Sequence, residues 1–134
     1  MKSIVDFFTE ALIKKTTKIK TTGYKKPDDP NTWEEGDVLY GVSHYSMTLP
    51  YFYKVIKKTA KTFTLVELTA KLASGHYNGY FSEVPDDSKL EKDLKGEQIR
   101  ARINKFNELS VGRSSSKINL HLWDGKPVEG CDLD

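Results

Sequence analysis

Residues 36–68 read GDVLYGVSHYSMTLPYFYKVIKKTAKTFTLVEL. The stretch predicts three strands in a row. Val38–Val42 opens after Gly36-Asp37, and a polar loop, Ser43–Pro50, carries His44 and Tyr45. Tyr51–Lys58 is a second run, rich in aromatic and β-branched residues, and Phe63–Leu68 is a third. Such residues suit a pleated, half-buried surface. Only Thr59-Ala60-Lys61 separates the second run from the third, which is hairpin spacing. Phe63 and Leu65 share one face of the third strand; Thr64, Val66 and Leu68 share the other.

Downstream, the pattern continues as strands. Gln98–Phe106 alternates cleanly, with Ile99, Ala101 and Ile103 facing one way and Arg100, Arg102 and Asn104 the other. Lys117–Trp123 repeats this, with Ile118, Leu120 and Leu122 inward and Asn119, His121 and Trp123 outward. Tyr80–Val84 and Lys126–Glu129 are short candidates, Ala70–Gly79 is a strand edge followed by a loop, and Gly112–Ser116 is a loop. Ser88–Leu94 has room for one helical turn. Five to six short, mostly hairpin-connected strands predict an α+β fold: a small, strongly bent antiparallel sheet or barrel. The Src-homology-3-like barrel with an N-terminal helix is the first expectation, and a plain sheet with a packed helix is the alternative.

Upstream lies a different composition. Ser3–Lys15 predicts an amphipathic helix with a capping serine and Ile4, Phe8, Ala11 and Leu12 on one face. Thr16–Tyr24 is an extended, lysine-rich arm, and Lys26–Trp33 carries turn chemistry. The expected division is therefore 1–35, a helix with a basic arm and linker, and 36–134, a β-rich domain. Residues 1–26 carry seven bases against two acids, while 28–37 carry five acids and no base. The net charge of +2 thus hides a basic arm ahead of a mildly acidic body. Such asymmetry points toward a polyanion. No run approaches the length of a membrane span, and the N-terminus lacks the apolar core of a signal peptide. The single cysteine, Cys131, excludes an internal disulfide and fits a reducing cytoplasm.

The sequence argues against most catalytic chemistry. His44, His76 and His121 have no metal-ligand spacing, so neither metal nor cofactor is expected. Gly75–Gly79 has no lysine-serine tail and is not a phosphate loop, and Ser114–Ser116 has no nucleophile-elbow pattern. The sharpest enzymatic option is a small ribonuclease in which His121 works beside Arg100 and Arg102, should their strands pair. Binding has broader support. Lys14, Lys15, Lys18, Lys20, Lys25 and Lys26 could neutralise phosphates, with Tyr24 and Trp33 interleaved to stack on bases. Arg100, Arg102, His121 and Trp123 form a second candidate surface, and His44 with Tyr45 a third. The acidic stretch 28–37 allows a different partner, a basic host protein whose nucleic acid it would imitate.

Four pieces occur together: Gly36-Asp37-Val38-Leu39; Tyr45 and Thr48 leading into Phe52-Tyr53-Lys54-Val55; Thr59-Ala60-Lys61-Thr62; and Trp123-Asp124-Gly125-Lys126-Pro127. This set resembles a family of small, functionally uncharacterised proteins of bacteriophages and mobile elements. Ser43-His44 stands where that family usually has Trp-Gly, and residues 1–35 are an addition to it. The resemblance implies a phage setting in a host cytoplasm. The basic arm and the arginine surface, not the resemblance, make the first expectation a non-enzymatic accessory protein that binds nucleic acid or a host nucleoprotein complex. The alternative the resemblance implies is an anti-defence protein, similar to anti-CRISPR inhibitors, acting by protein contact.

Overall fold

The computed structural model describes residues 25–44, 47–113 and 116–132. The helix expected at Ser3–Lys15 and the arm to Tyr24 lie outside them. The described residues form antiparallel sheets with one short α-helix. Ten strands follow in order: β1 (Val38–Ser43), β2 (Leu49–Lys58), β3 (Thr62–Leu68), β4 (Ala70–Gly75), β5 (Tyr80–Pro85), β6 (Gln98–Arg102), β7 (Ser110–Arg113), β8 (Ser116–Asn119), β9 (His121–Leu122) and β10 (Val128–Cys131). Helix α1 (Leu90–Leu94) stands between β5 and β6. The main sheet runs β6-β3-β2-β1-β9, a second runs β10-β5-β4, and β7-β8 is a separate hairpin. Among the described residues the sheets stay open, rather than closing into the expected barrel.

The three strands of the opening stretch pair as their spacing predicts, β1 with β2 and β2 with β3. Thr59 closes the β2–β3 turn, its amide donating to the Thr62 carbonyl at 2.8 Å. Opposite residues on paired strands share a face, so the register defines two faces of the main sheet. One carries Leu39, Tyr53, Val55, Phe63, Leu65 and Ala101. These pack against Leu109, Val111, Ile118 and Leu120 from the β7–β8 side. Gly41 permits that approach: a Cβ there would collide with Ile118 and lie 2.9 Å from the Asn119 carbonyl. The opposite face buries Phe52, Val66 and Leu68. The second sheet joins the main one here through reciprocal backbone bonds between Thr48 and Cys131, at 2.8 and 2.7 Å.

Three boundaries differ from the sequence reading, each for a local reason. The strand expected to reach Phe106 ends at Arg102. The Asn104 carboxamide accepts from the amides of Phe106 and Glu108, both at 2.9 Å, and Asn107 is left-handed at φ 62°. An asparagine side chain that bonds nearby amides competes with the strand ladder. The strand expected over Lys117–Trp123 breaks at Leu120, whose amide turns to the Leu109 carbonyl; the chain then changes partner from β7 to β1. Residues 110–113, expected partly as loop, form β7.

The expected linker is also built into the body over 25–35. Trp33 is fully buried in the core, edge-on to Phe63, and its Nε1 donates to the Lys26 carbonyl at 2.8 Å. It is a core residue and not a stacking platform. Asp29 caps a short 3-10 turn, Pro30–Thr32, and the Leu122 amide donates to the Pro27 carbonyl. This strap covers the β9 edge of the main sheet.

Candidate nucleic-acid interface

The β2–β3–β6 corner gathers positive charge by register. Lys57 pairs with Thr64, and Thr64 pairs with Arg100, so the three stand in one row. Arg102 lies two residues further along, opposite Thr62. All three cations project from the face opposite the Phe63 core. Lys61, in the β2–β3 turn, and Lys105, after β6, flank the end of the row. The five are exposed. Among the described residues the ion pairs are Lys25–Asp37, Lys95–Glu91 and His121–Asp28, so no described carboxylate neutralises any of the five.

A break in regularity places Lys57 there. The β2–β3 register shifts between Val55 and Lys57. A bulge of one residue exchanges the faces of everything beyond it. Lys58 consequently turns to the core side. Its Nζ lies 5.4 Å from the Phe63 ring centroid and donates to the carbonyls of Asn31 at 2.9 Å and Trp33 at 2.5 Å. Burial holds its ammonium below the usual lysine range, opposed by the charges of Glu34, Asp37 and Asp29. Periodicity alone could not reveal Lys57, since the bulge depends on the partner strand.

An aromatic ring stands at the same corner. Phe106 is 70% exposed, on the turn built by Asn104. The turn is anchored to the strap. Asn107 donates to Asp29 at 3.0 Å and accepts from the Asn31 carboxamide at 2.5 Å. The Asn107 and Asn31 bonds hold the Asp29 carboxyl below its ordinary range. The Lys105 Nζ lies 5.1 Å from the Phe106 centroid. A ring held out in water by a structured turn beside cations has the form of a base-stacking contact.

The sequence-predicted residues scatter differently. Arg100 and Arg102 are at the exposed corner just described. His121 projects from the same face of the main sheet, but β6 and β9 are its opposite edges, with β3, β2 and β1 between them. Those strands do not pair, and the expected Arg100/Arg102/His121/Trp123 cluster is not assembled; roughly 20 Å of sheet separates its ends. Trp123 is half-buried, edge-on to Phe52, with Nε1 donating to the Lys126 carbonyl at 2.7 Å, so it serves packing. Lys25 is held in a part-buried bond to Asp37 at 2.6 Å. Lys26 is exposed, while its backbone ties the strap through Thr32 and Trp33. His44 is exposed at the end of β1. Lys14, Lys15, Lys18, Lys20, Tyr24 and Tyr45 lie outside the described residues.

The acidic stretch is mostly spoken for. Asp28 binds His121, Asp29 binds Asn31 and Asn107, and Asp37 binds Lys25 and the Glu34 amide. Carboxylates engaged in this way hold the strap in place rather than form a free anionic surface. A cavity of about 670 Å³ lies between the second sheet and Thr48. Glu129 lines it, and its Ser74 and Ser82 hydroxyls bond each other at 2.6 Å, so it offers nothing to a polyanion. Cys131, half-exposed, sits on its wall. Among the described residues no cluster of His, Cys, Asp and Glu could hold a metal ion, and no helix is long and apolar enough to cross a membrane.

No protein-family model, curated protein or solved structure matches the chain. The resemblance to phage and mobile-element proteins therefore rests on the sequence motifs alone.

Proposed function

We propose that this is a nucleic-acid-binding protein that grips a phosphate backbone at the β2–β3–β6 corner. The row Lys57–Thr64–Arg100, extended by Arg102, carries the reading. Phosphate contacts supply affinity without reading sequence. Phe106 adds a ring on which an unpaired base can stack, which favours single strands over duplex. The basic arm 1–26 adds further cations, and the setting is an accessory role in a host cytoplasm, as the phage-like motifs imply. The N-terminal helix expected over Ser3–Lys15 belongs to this reading as well.

Fluorescence anisotropy with single-stranded RNA, single-stranded DNA and duplex tests it. Affinity should fall steeply with added salt. Phe106→Ala should weaken single strands by about 1–3 kcal/mol per stacked base and leave duplex binding nearly unchanged. Absence of binding to every probe at low salt sinks the proposal.

A second reading rests on a separate observation. Leu72, Tyr77 and Tyr80 are exposed on the β4–β5 hairpin, and β4 is an edge strand. Exposed tyrosines are among the residues that anchor protein interfaces, which suits an anti-defence inhibitor working by contact with a host effector. Inhibition of a purified nucleic-acid-guided nuclease, lost in Tyr80→Ala and kept in Arg100→Gln, would select this reading over the first.

A further inference from the structure

The other edge of the main sheet holds a second polar constellation. Tyr40, Val42, His44, Lys117, Asn119 and His121 line a cleft of about 400 Å³. It is formed where β8 and β9 pass β1, and β9 pairs Tyr40 directly with His121. The two rings lie 5.7 Å apart between centroids. Behind the cleft, Asp28 Oδ1 stands 2.7 Å from His121 Nδ1. A carboxylate can only accept, so Nδ1 carries a proton, and in the neutral ring Nε2 is the free base. The strap supplies Asp28, β1 leads to His44, and β8 supplies Lys117. Three segments thus deliver an oriented imidazole, a second imidazole and an ammonium to one cleft large enough for a nucleotide.

We infer that this cleft cleaves single-stranded RNA by internal transesterification. The inference rests on the nucleic-acid reading above and uses residues apart from the binding corner. His121 Nε2 takes the proton of a ribose 2′-hydroxyl, and O2′ forms a bond to the adjacent phosphorus. The P–O5′ bond breaks, and protonated His44 delivers its proton to the departing O5′. Lys117 neutralises the charge that accumulates on the non-bridging oxygens. The products are a 2′,3′-cyclic phosphate and a 5′-hydroxyl, with one proton taken up and one released. Asp28 is a positioning residue: it touches His121 and not the reacting atoms. DNA lacks the nucleophile and is bound without being cut.

The test is incubation of the full chain with single-stranded RNA in EDTA, with product ends identified by mass and a matched DNA strand as control. Cyclic phosphate ends from RNA alone are expected. His121→Gln and His44→Gln should each lower the rate by about 10²–10⁴-fold, with RNA binding retained. Asp28→Asn should lower kcat by about 10–100-fold with KM unchanged, and should move the acidic limb of the bell-shaped pH profile, which His121 sets as the base. A purely structural Asp28 would leave that profile in place. RNA bound but uncut overturns this inference and leaves the binding proposal standing. RNA neither bound nor cut overturns both. Cleavage that persists in folded His121→Gln also overturns the inference, since it must come from elsewhere.

Discussion

The two edges of the main sheet meet the same physical problem with different means. A free edge strand exposes unpaired backbone groups and invites another chain. At the β9 edge the protein covers them. The strap brings Pro27 to the Leu122 amide, Asp28 to His121 and Trp33 into the core. At the β6 edge no described strand pairs with the outer side, and exposed arginines at 100 and 102 guard it by charge. Each edge carries residues that its own protection explains. Guarding an edge is sufficient reason for two arginines, and pinning a strap is sufficient reason for an Asp–His pair. What exceeds those needs is Lys57 at one edge and the convergence of His44 and Lys117 at the other.

The largest expected effect comes from breaking the covered edge. Trp33→Ala removes a fully buried ring, its contact to Phe63 and its bond to the Lys26 carbonyl. A loss of about 3–5 kcal/mol is expected in denaturant unfolding. A loss below 1 kcal/mol would mean that the strap is an ornament on a sheet that stands without it.

Next comes the open edge. Arg100→Glu with Arg102→Glu keeps charge on the strand, so the guard against aggregation remains, but its sign is reversed. Stability should stay within about 0.5 kcal/mol, as for other exposed substitutions. Nucleic-acid affinity at low salt should fall about a hundredfold. Unchanged affinity would assign the arginines to edge protection alone.

How far the sequence foretold this contrast depends on the distance over which each feature is determined. The strands and the β2–β3 turn were legible because alternation and connector length are local. The inward sets Ile99/Ala101/Ile103 and Ile118/Leu120/Leu122 were legible for the same reason, and all six pack on the core side. Arg100 and Arg102 were correctly placed outward. Strand order was not legible: nothing in Gln98–Arg102 or His121–Leu122 states that three strands intervene between them. The turn over Lys26–Trp33 was legible, but its packing into the body was not: Pro27, Asp28, Asp29 and Pro30 are turn residues wherever they occur, and only the tertiary contacts of Trp33 show that this turn is built in. The Asp28–His121 pair spans 93 residues and leaves no local pattern.

The smallest effects sharpen the comparison most, because they separate two adjacent lysines. The bulge sends Lys57 to the open face and Lys58 to the core side. Lys58→Met leaves the carbonyls of Asn31 and Trp33 without their donor. It should cost about 1–3 kcal/mol of stability and change nucleic-acid affinity little. Lys57→Gln should do the reverse. Its stability change should be near zero, and the slope of log affinity against log salt should flatten by about one unit, the signature of one lost phosphate contact. If both variants alter only stability, the row Lys57–Thr64–Arg100 is a structural coincidence of register. If Lys57→Gln alone flattens the salt slope, the bulge is what turns a guarded edge into a binding surface, because without it Lys57 would point into the Phe63 side and the arginines would stand alone.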